Sequence, residues 1–278
     1  MTGTTLSVLE AAVGTLDQSP RRSHSAGVVD HAIISPVIDR YTLPEMGDVW
    51  AEQRKLEAWK EVEVLALEAW AELGKVPEGI ADSVRAAPCP TPSEVARREE
   101  VTNHDMAAFV DLLGEAAGGD APAWVHYGLT SSDVLDTATG SLLDEASRIL
   151  LDRLEALFSV VKAKSLEHRE TFMIGRTHGI WAEPTTFGLK LASWAFELHR
   201  DHARLRDAAA SVAVGKISGA VGTYAQVPPE VESHVCDRLG LEIEPASTQV
   251  TARDRHAGWL QTLALIGASL ERLATEIR

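Results

Sequence analysis

The amino-acid sequence predicts an all-α protein built as an elongated helix bundle. Three observations carry that expectation. Aromatic residues make up only 5% of the 278 residues, while Ala, Leu and Glu are plentiful, a balance that favours helices over sheets. Apolar residues recur at three- and four-residue steps over several stretches. Three of these stretches reach about 25 residues or more and are joined by polar, Gly-rich loops, as in an elongated bundle.

The first 34 residues mix Thr, Ser and Gly with a short basic patch, Arg21, Arg22 and His24. Ordering such a stretch costs roughly 1–2 kcal/mol per residue with little apolar burial in return. Residues 1–34 are therefore expected to form a flexible extension. The rest divides into an N-terminal helical domain, residues 35–132, and a central long-helix domain, residues 133–278.

Within residues 46–73, Val49, Trp50, Leu56, Trp59, Val62, Leu65 and Ala69 keep a helical period. Gly74 and Pro77 stop it. No helix crosses the Pro-rich joint at residues 88–92. Ser93 is expected to cap a helix of about twenty residues towards Leu113, ended by Gly118, Gly119 and Pro122. Residues 126–140, HYGLTSSDVLDTATG, begin as a loop and lead into an amphipathic run from Leu142 to about His168. A second loop, residues 173–184, precedes a helix to about Val212, with Pro184 in its first turn. A third loop, residues 215–229, is rich in Gly and Pro. A short helix over residues 230–239 ends at Gly240. Thr251 and Asp254 read as a capping box for a last helix running to Arg278. No stop signal follows that helix, so the sequence is expected to be a piece of a longer chain.

Charge and cysteine usage narrow the function. Lys and Arg total 26 against 41 Asp and Glu, a net charge of −15. Such a chain is a poor general binder of nucleic acid or anionic membrane, although a local basic pocket for an anionic metabolite remains compatible. Two cysteines, Cys89 and Cys236, make no disulfide framework and fit a reducing cytoplasm. No apolar run reaches the ~18 residues of a membrane span, and no signal peptide is evident.

Histidine is the natural candidate for acid and base roles near neutral pH. His199 and His202 lie three apart on a helix, where they form a solvated face or, less simply, a metal-binding pair. No HExxH, CxxC pair or DxDxDG loop occurs, so no metal is expected. No Walker loop, GxGxxG or GxSxG is present either. The loop holding Gly215, Lys216, Gly219 and Gly222 is an ordinary turn or a cradle for a phosphate or carboxylate. His178 sits in Gly175-Arg176-Thr177-His178-Gly179, a cation, a hydroxyl and an imidazole together before a helix. His104 is flanked by Asn103 and Asp105, and its neighbouring carboxylate need not orient the ring. His126 leads the loop that carries Thr130, Ser131 and Ser132. Three polar loops between long helices favour function over structure, because function concentrates in loops on rigid scaffolds.

Five strings carry a resemblance: TNHD (102–105), HYGLTSSDVLDTA (126–138), IGRTHGIWAEPTTFGLK (174–190), GKISGAVGTYA (215–225) and STQVTARDRHA (247–257). In sequence and order they resemble the adenylosuccinate lyase family of the fumarase/aspartase superfamily. The likeness runs from Ser35 to Arg278. It implies the superfamily's helix bundle, truncated after the start of its central helical domain. It also implies β-elimination of fumarate from adenylosuccinate, giving AMP, and from the succinyl-carboxamide ribotide SAICAR, giving AICAR. No cofactor and no metal is implied. The expected partners are these small-molecule substrates, not nucleic acid or membrane, and a homotetramer whose active sites draw on three subunits.

Position by position, the resemblance makes His178 the general acid and gives His104 a role in orienting substrate or assisting proton transfer. Arg40, Tyr41, Asn103, Asp105, Thr130, Ser131 and Gln249 match substrate-binding positions, with Lys216 and Ser218 as weaker matches. The family's base is a serine in a string of the form S-S-x-M-P-x-K-x-N-P, which these 278 residues do not contain. The polypeptide alone is therefore expected to be inactive. The alternatives are a non-catalytic lyase-like helical protein and a sister lyase acting on another fumarate adduct.

Overall fold

The structure, a computed structural model, describes residues 41–278. Arg40 and the expected flexible extension lie outside the described residues. Five helices, α1 (Pro44–Val49), α2 (Glu52–Glu72), α3 (Ile80–Ala86), α4 (Pro92–Thr102) and α5 (Asp105–Ala117), lead to the 37-residue helix α6 (Ser131–Glu167). A hairpin follows, made of β1 (Phe172–Thr177) and β2 (Ile180–Thr186). Then come α7 (Phe187–Val212), β3 (Val214–Gly215), α8 (Pro229–Leu239), β4 (Glu242–Ile243) and α9 (Asp254–Ile277). The predicted helix bundle is thus present, with two small sheets added: the antiparallel hairpin and a two-residue parallel pairing of β3 with β4.

Three apolar clusters hold the described elements, the smallest made of Leu143, Val212 and Trp259. The first surrounds the second half of α2, where residues 62–70 are buried except for the half-buried Glu68 and all but Glu63 and Glu68 are apolar. Trp59 of α2 meets Phe109 of α5 edge to face, with ring centroids 5.4 Å apart. Val134 and Leu142 of α6 and Val231 and Val235 of α8 close this core. The second core joins Leu154 and Val161 of α6, Leu191, Trp194 and Leu198 of α7, and Leu273 of α9.

Helix α6 rises about 55 Å at 1.5 Å per residue and passes from the first core to the second. Helix α7 starts beside its end, where Gly188 N–H donates to His168 O at 2.9 Å. It finishes near the start of α6, where a Cβ on Gly140 would lie 3.4 Å from Val212 O. Helix α9 runs back again: Arg255 donates to Ser211 O at 2.9 Å, and Glu276 pairs with Lys190. The loops after α7 and before α9 therefore gather at the N-terminal end of α6, and the hairpin lies at the other end.

Several boundaries differ from expectation, each for a physical reason. The helix over residues 46–73 is broken at Trp50 and Ala51, and Ala51 takes the extended backbone of the α2 N-cap. The apolar period continues across that break and conceals it. Thr91, not Ser93, caps α4, in a capping box with Glu94. The twenty-residue helix divides at Asn103, which takes φ 52° in the left-handed region that Asn tolerates. Helix α6 starts eleven residues before Leu142, capped by Thr130 and Asp133. Pro184 lies not in a helix but in β2, opposite Ile174; a two-stranded ribbon has only edges, where Pro is tolerated. Thr186 caps α7 instead, accepting from Leu189 N–H at 3.1 Å. Thr251 does not cap α9, because its N–H and hydroxyl both go to Asp136.

Gly140 marks a close approach in this arrangement: a Cβ there would stand 2.3 Å from Val214 O. Gly140→Ala is expected to cost about 1–3 kcal/mol, the usual penalty of overpacking. Urea unfolding reads this directly, and an unchanged midpoint contradicts the close packing of β3 on α6.

Candidate active site

The first turns of α6 organise one end of the molecule. Asp133, Asp136 and Thr137 stand at i, i+3 and i+4, so they share a face. Asp133 and Lys216 are both 0% exposed and pair at 2.6 Å. Asp133 Oδ1 also accepts from Gly219 N–H at 3.2 Å, and Oδ2 accepts from Thr130 N–H at 2.9 Å. The Lys216 ammonium donates its second bond to Gly219 O at 2.6 Å. Thr137 exchanges bonds with the Lys216 backbone, donating to its carbonyl at 3.0 Å and accepting from its N–H at 2.9 Å. Asp136 holds Thr251 N–H at 2.7 Å and the Arg253 guanidinium at 2.9 Å. The three loops at residues 126–130, 215–222 and 247–253 are thereby fixed to one helix end. Ser218 and Ser247 hydroxyls, 2.8 Å apart, join two of them.

His104, Ser131 and His126 line one cleft of about 250 Å³, with Asp111 on its wall. His104 is the N-cap of α5, and its Nδ1 accepts from Met106 N–H at 3.2 Å. Asp105 Oδ1 accepts from the same N–H at 2.7 Å and lies 3.2 Å from Nδ1. Asp105 is therefore beside the ring after all, because His104 is the extended N-cap and Asp105 the first residue of α5. Asn103 is exposed, and its amide donates to Val101 O at 3.4 Å.

His126 has a role that sequence reading did not assign. Its backbone N–H and its Nδ1 meet the two carboxylate oxygens of the fully buried Glu63, at 2.9 and 2.6 Å. Burial works against a charged ring here. The hydrogen bond and charge of Glu63, with the charge of Asp133, outweigh it and hold the His126 pKa above its ordinary 6.5. The signal available in the sequence was Glu63 itself, a lone carboxylate within an otherwise apolar stretch of α2.

His178 lies elsewhere. It and Gly179 form the two-residue turn of the hairpin at φ 53° and 73°, the left-handed pair that such turns require. His178 is exposed. Even if the six-residue β1 folded back along α6, it would recover only about 20 Å of the roughly 55 Å between helix ends. Within one chain His178 and the His104 cleft are therefore far apart. A second cleft, lined by Gly175, Arg176, Lys190 and Glu276, lies at the hairpin end.

Among the other predicted residues, Gln249 is exposed on the loop that Asp136 anchors. Tyr41 is 64% exposed and lies outside the unit formed by Leu43–Arg278. Lys216 is fully buried, its ammonium committed to Asp133 and Gly219 O. His199 packs on Phe158 and His202 lies 4.0 Å from Glu155. No group of three or more His, Cys, Asp or Glu set to hold a metal occurs among the described residues. Burial pushes the Cys89 thiol up to about 11 and Cys236 up to about 12, which removes both as thiolate nucleophiles near neutral pH. No helix among the described residues is long and apolar enough to cross a membrane.

A protein-family model described as lyase matches residues 40–278. Adenylosuccinate lyase of Bacillus subtilis is 50% identical over 242 residues, covering 87% of this chain and 56% of that protein. Adenylosuccinate lyase of Synechocystis sp. is also 50% identical, with the same coverage. The chain thus spans just over half the length of these relatives. Among solved structures, fumarate lyase from Mesorhizobium sp. BNC1 matches with a TM-score of 0.77 at 32% identity, over 84% of this chain and 56% of that one. The 3-carboxy-cis,cis-muconate lactonizing enzyme from Pseudomonas putida matches with a TM-score of 0.80 at 26% identity, over 86% and 56%.

Two outcomes follow from this geometry. Lys216→Ala, which leaves Asp133 buried without its counter-charge, is expected to lower the unfolding free energy by about 3–5 kcal/mol. A loss below about 1 kcal/mol contradicts the tight pairing. The raised pKa of His126 means that its charged pair with Glu63 stabilises fully below about pH 6.5 and fades as pH rises through the higher folded value. The stability gap between wild type and His126→Gln should therefore be larger at about pH 6 than at about pH 9; an equal gap contradicts the pair.

Proposed function

The chain belongs to the lyase family, and we propose on that premise that it carries substrate-binding and acid residues of a cytoplasmic adenylosuccinate lyase. The observation that carries this reading is the 50% identity to two adenylosuccinate lyases. Identities of 32% and 26% to the fumarate lyase and the lactonizing enzyme make a sister lyase the weaker reading.

The reaction is a β-elimination on adenylosuccinate or SAICAR. A base removes a proton from the succinyl carbon beside a carboxylate, the C–N bond breaks with its electron pair leaving on nitrogen, and fumarate departs. An acid returns a proton to that nitrogen, giving AMP or AICAR. Negative charge builds on the carboxylate oxygens as the proton leaves, so hydrogen-bond donors placed there lower the barrier. These steps need proton transfer and donors, with no cofactor.

In this reading His178 is the acid, and its exposed turn presents the imidazole beyond its own chain. His104 orients substrate or assists the transfer. Thr130 and Ser131 bind succinyl carboxylate oxygens, helped by the positive end of the α6 dipole. Arg40, Tyr41, Asn103 and Asp105 contact the nucleotide portion, and Gln249 contacts substrate. The base is assigned to no residue of this sequence.

One chain cannot bring the His178 hairpin to the His104 cleft, so the site is completed by another copy, and a homotetramer supplies the arrangement. The exposed apolar residues along the long helices, Val160, Leu166, Phe196, Leu265 and Leu270, support such an assembly. So does the groove between α6 and α7, lined by Phe158, Leu166 and Phe196.

The 278-residue polypeptide alone is expected to release no fumarate from adenylosuccinate, and measurable release overturns the missing-base reading. In an active enzyme that contains this sequence, His178→Ala should lower fumarate release by at least about 100-fold, the scale of losing a general acid. Unchanged turnover removes His178 from that role.

A further inference from the structure

The pairing of Glu63 with His126 has a chemical consequence for the cleft beside it. Glu63 is a carboxylate without exposure, flanked on its helix by Val62, Val64 and Leu65 of the apolar core. One oxygen accepts from the His126 backbone N–H, so the other is aligned on the ring Nδ1 at 2.6 Å. His126 is held at φ 67°, outside the ordinary backbone region for a side-chain-bearing residue. Backbone and ring are thus gripped by the same group. A carboxylate accepts hydrogen bonds only, so the short contact needs a proton on Nδ1. Nε2 is then the ring nitrogen left for the cleft that His126 shares with His104 and Ser131.

We propose that Glu63 is a positioning residue that acts through His126: it fixes a proton on Nδ1, so that Nε2 is the nitrogen that gains and loses a proton at the cleft. When Nε2 is protonated, the cleft offers a cationic donor to a carboxylate or phosphate oxygen. When it is not, the same nitrogen is a base. The charged groups around the ring are Glu63 on α2 and Asp133 on α6, the latter neutralised by Lys216. His104 and Asp111 face the cleft from the loop before α5 and from α5 itself. The raised proton affinity of His126 agrees with this environment. The inference deepens the reading of this end of the molecule as a substrate site, and rests on it.

Glu63→Gln tests the proposal while conserving volume. Its amide oxygen can still accept from the His126 backbone N–H, which turns the amide NH2 towards Nδ1. A neutral ring must then carry its proton on Nε2. Histidine 15N shifts of the folded chain, followed from about pH 5 to 9, report which nitrogen is protonated. The expected result is a protonated Nδ1 at every pH in wild type and a bare Nδ1 above the His126 pKa in the variant. Titration with succinate and, separately, inorganic phosphate near pH 7 should move the wild-type His126 shifts for at least one anion. That affinity should fall about tenfold in Glu63→Gln, the scale of a charged hydrogen bond.

A succinate response identifies a carboxylate subsite and a phosphate response a phosphate subsite. A bare Nδ1 in wild type, an unchanged tautomer in the variant, or equal anion affinity in both proteins overturns the proposal, as does wild-type silence to both anions. If Glu63→Gln does not fold, the wild-type Nδ1 shift and anion response decide alone. Failure of the lyase reading would show instead as absent fumarate release from a longer enzyme that contains this sequence and a base, a result on which the ring shifts do not depend.

Discussion

The carboxylate of Asp133 is the point on which one end of this molecule depends. It is fully buried with Lys216, and placing two charges out of water is costly unless their remaining hydrogen-bonding capacity is met. Here it is met closely. The carboxylate takes the ammonium and the N–H groups of Thr130 and Gly219, and the ammonium adds a bond to Gly219 O. Removing either partner leaves a buried charge unmatched. One helical turn further on, Asp136 performs the same task for the loop of Thr251 and Arg253. Beside the burial of Ile217 in the apolar core, these loops are thus ordered by carboxylates projecting from a long, rigid helix.

That rigidity also sets what a single chain cannot do. A helix of 37 residues spans roughly the diameter of a domain and more, and its two ends carry different chemistry. The N-terminal end gathers His104, His126, Ser131 and the anchored loops. The C-terminal end leads to the hairpin turn of His178. Chemistry that needs both must take them from different copies, and the apolar flanks of α6, α7 and α9 provide surface through which copies can meet. The sequence strings that carry the family resemblance therefore lie at two separate ends of one chain.

Much of the frame was legible because it rests on periodicity. The long helices, the stop at Gly240 and the break at residues 88–92 follow from apolar spacing, Gly and Pro. What escaped was the set of local conformations that side chains impose at long range or against the pattern. The division at Asn103 is invisible because apolar residues continue on both sides. The true start of α6 was hidden because Ser131, Ser132 and Asp133 look like loop residues, although Asp133 is buried by a lysine 83 positions away. The hairpin depends on left-handed φ at His178 and Gly179, which the motif suggests only as a turn. Thr251 matched a cap by spacing, yet its donors belong to Asp136. The cleft residues His104 and Ser131 were readable from their strings, whereas the pairing of His126 with Glu63 needed the fold.

A single carboxylate, Asp133, stands at the junction of two loops far apart in sequence. Amide hydrogen exchange in Asp133→Asn tests that claim most directly. Thr130 N–H and Gly219 N–H both end on Asp133, while Thr251 N–H ends on Asp136. The expected result is a joint loss of protection at Thr130 and Gly219 of about tenfold or more, the scale of one charge-assisted hydrogen bond, with Thr251 retaining its protection. Protection at Thr130 and Gly219 that survives the substitution would contradict the account.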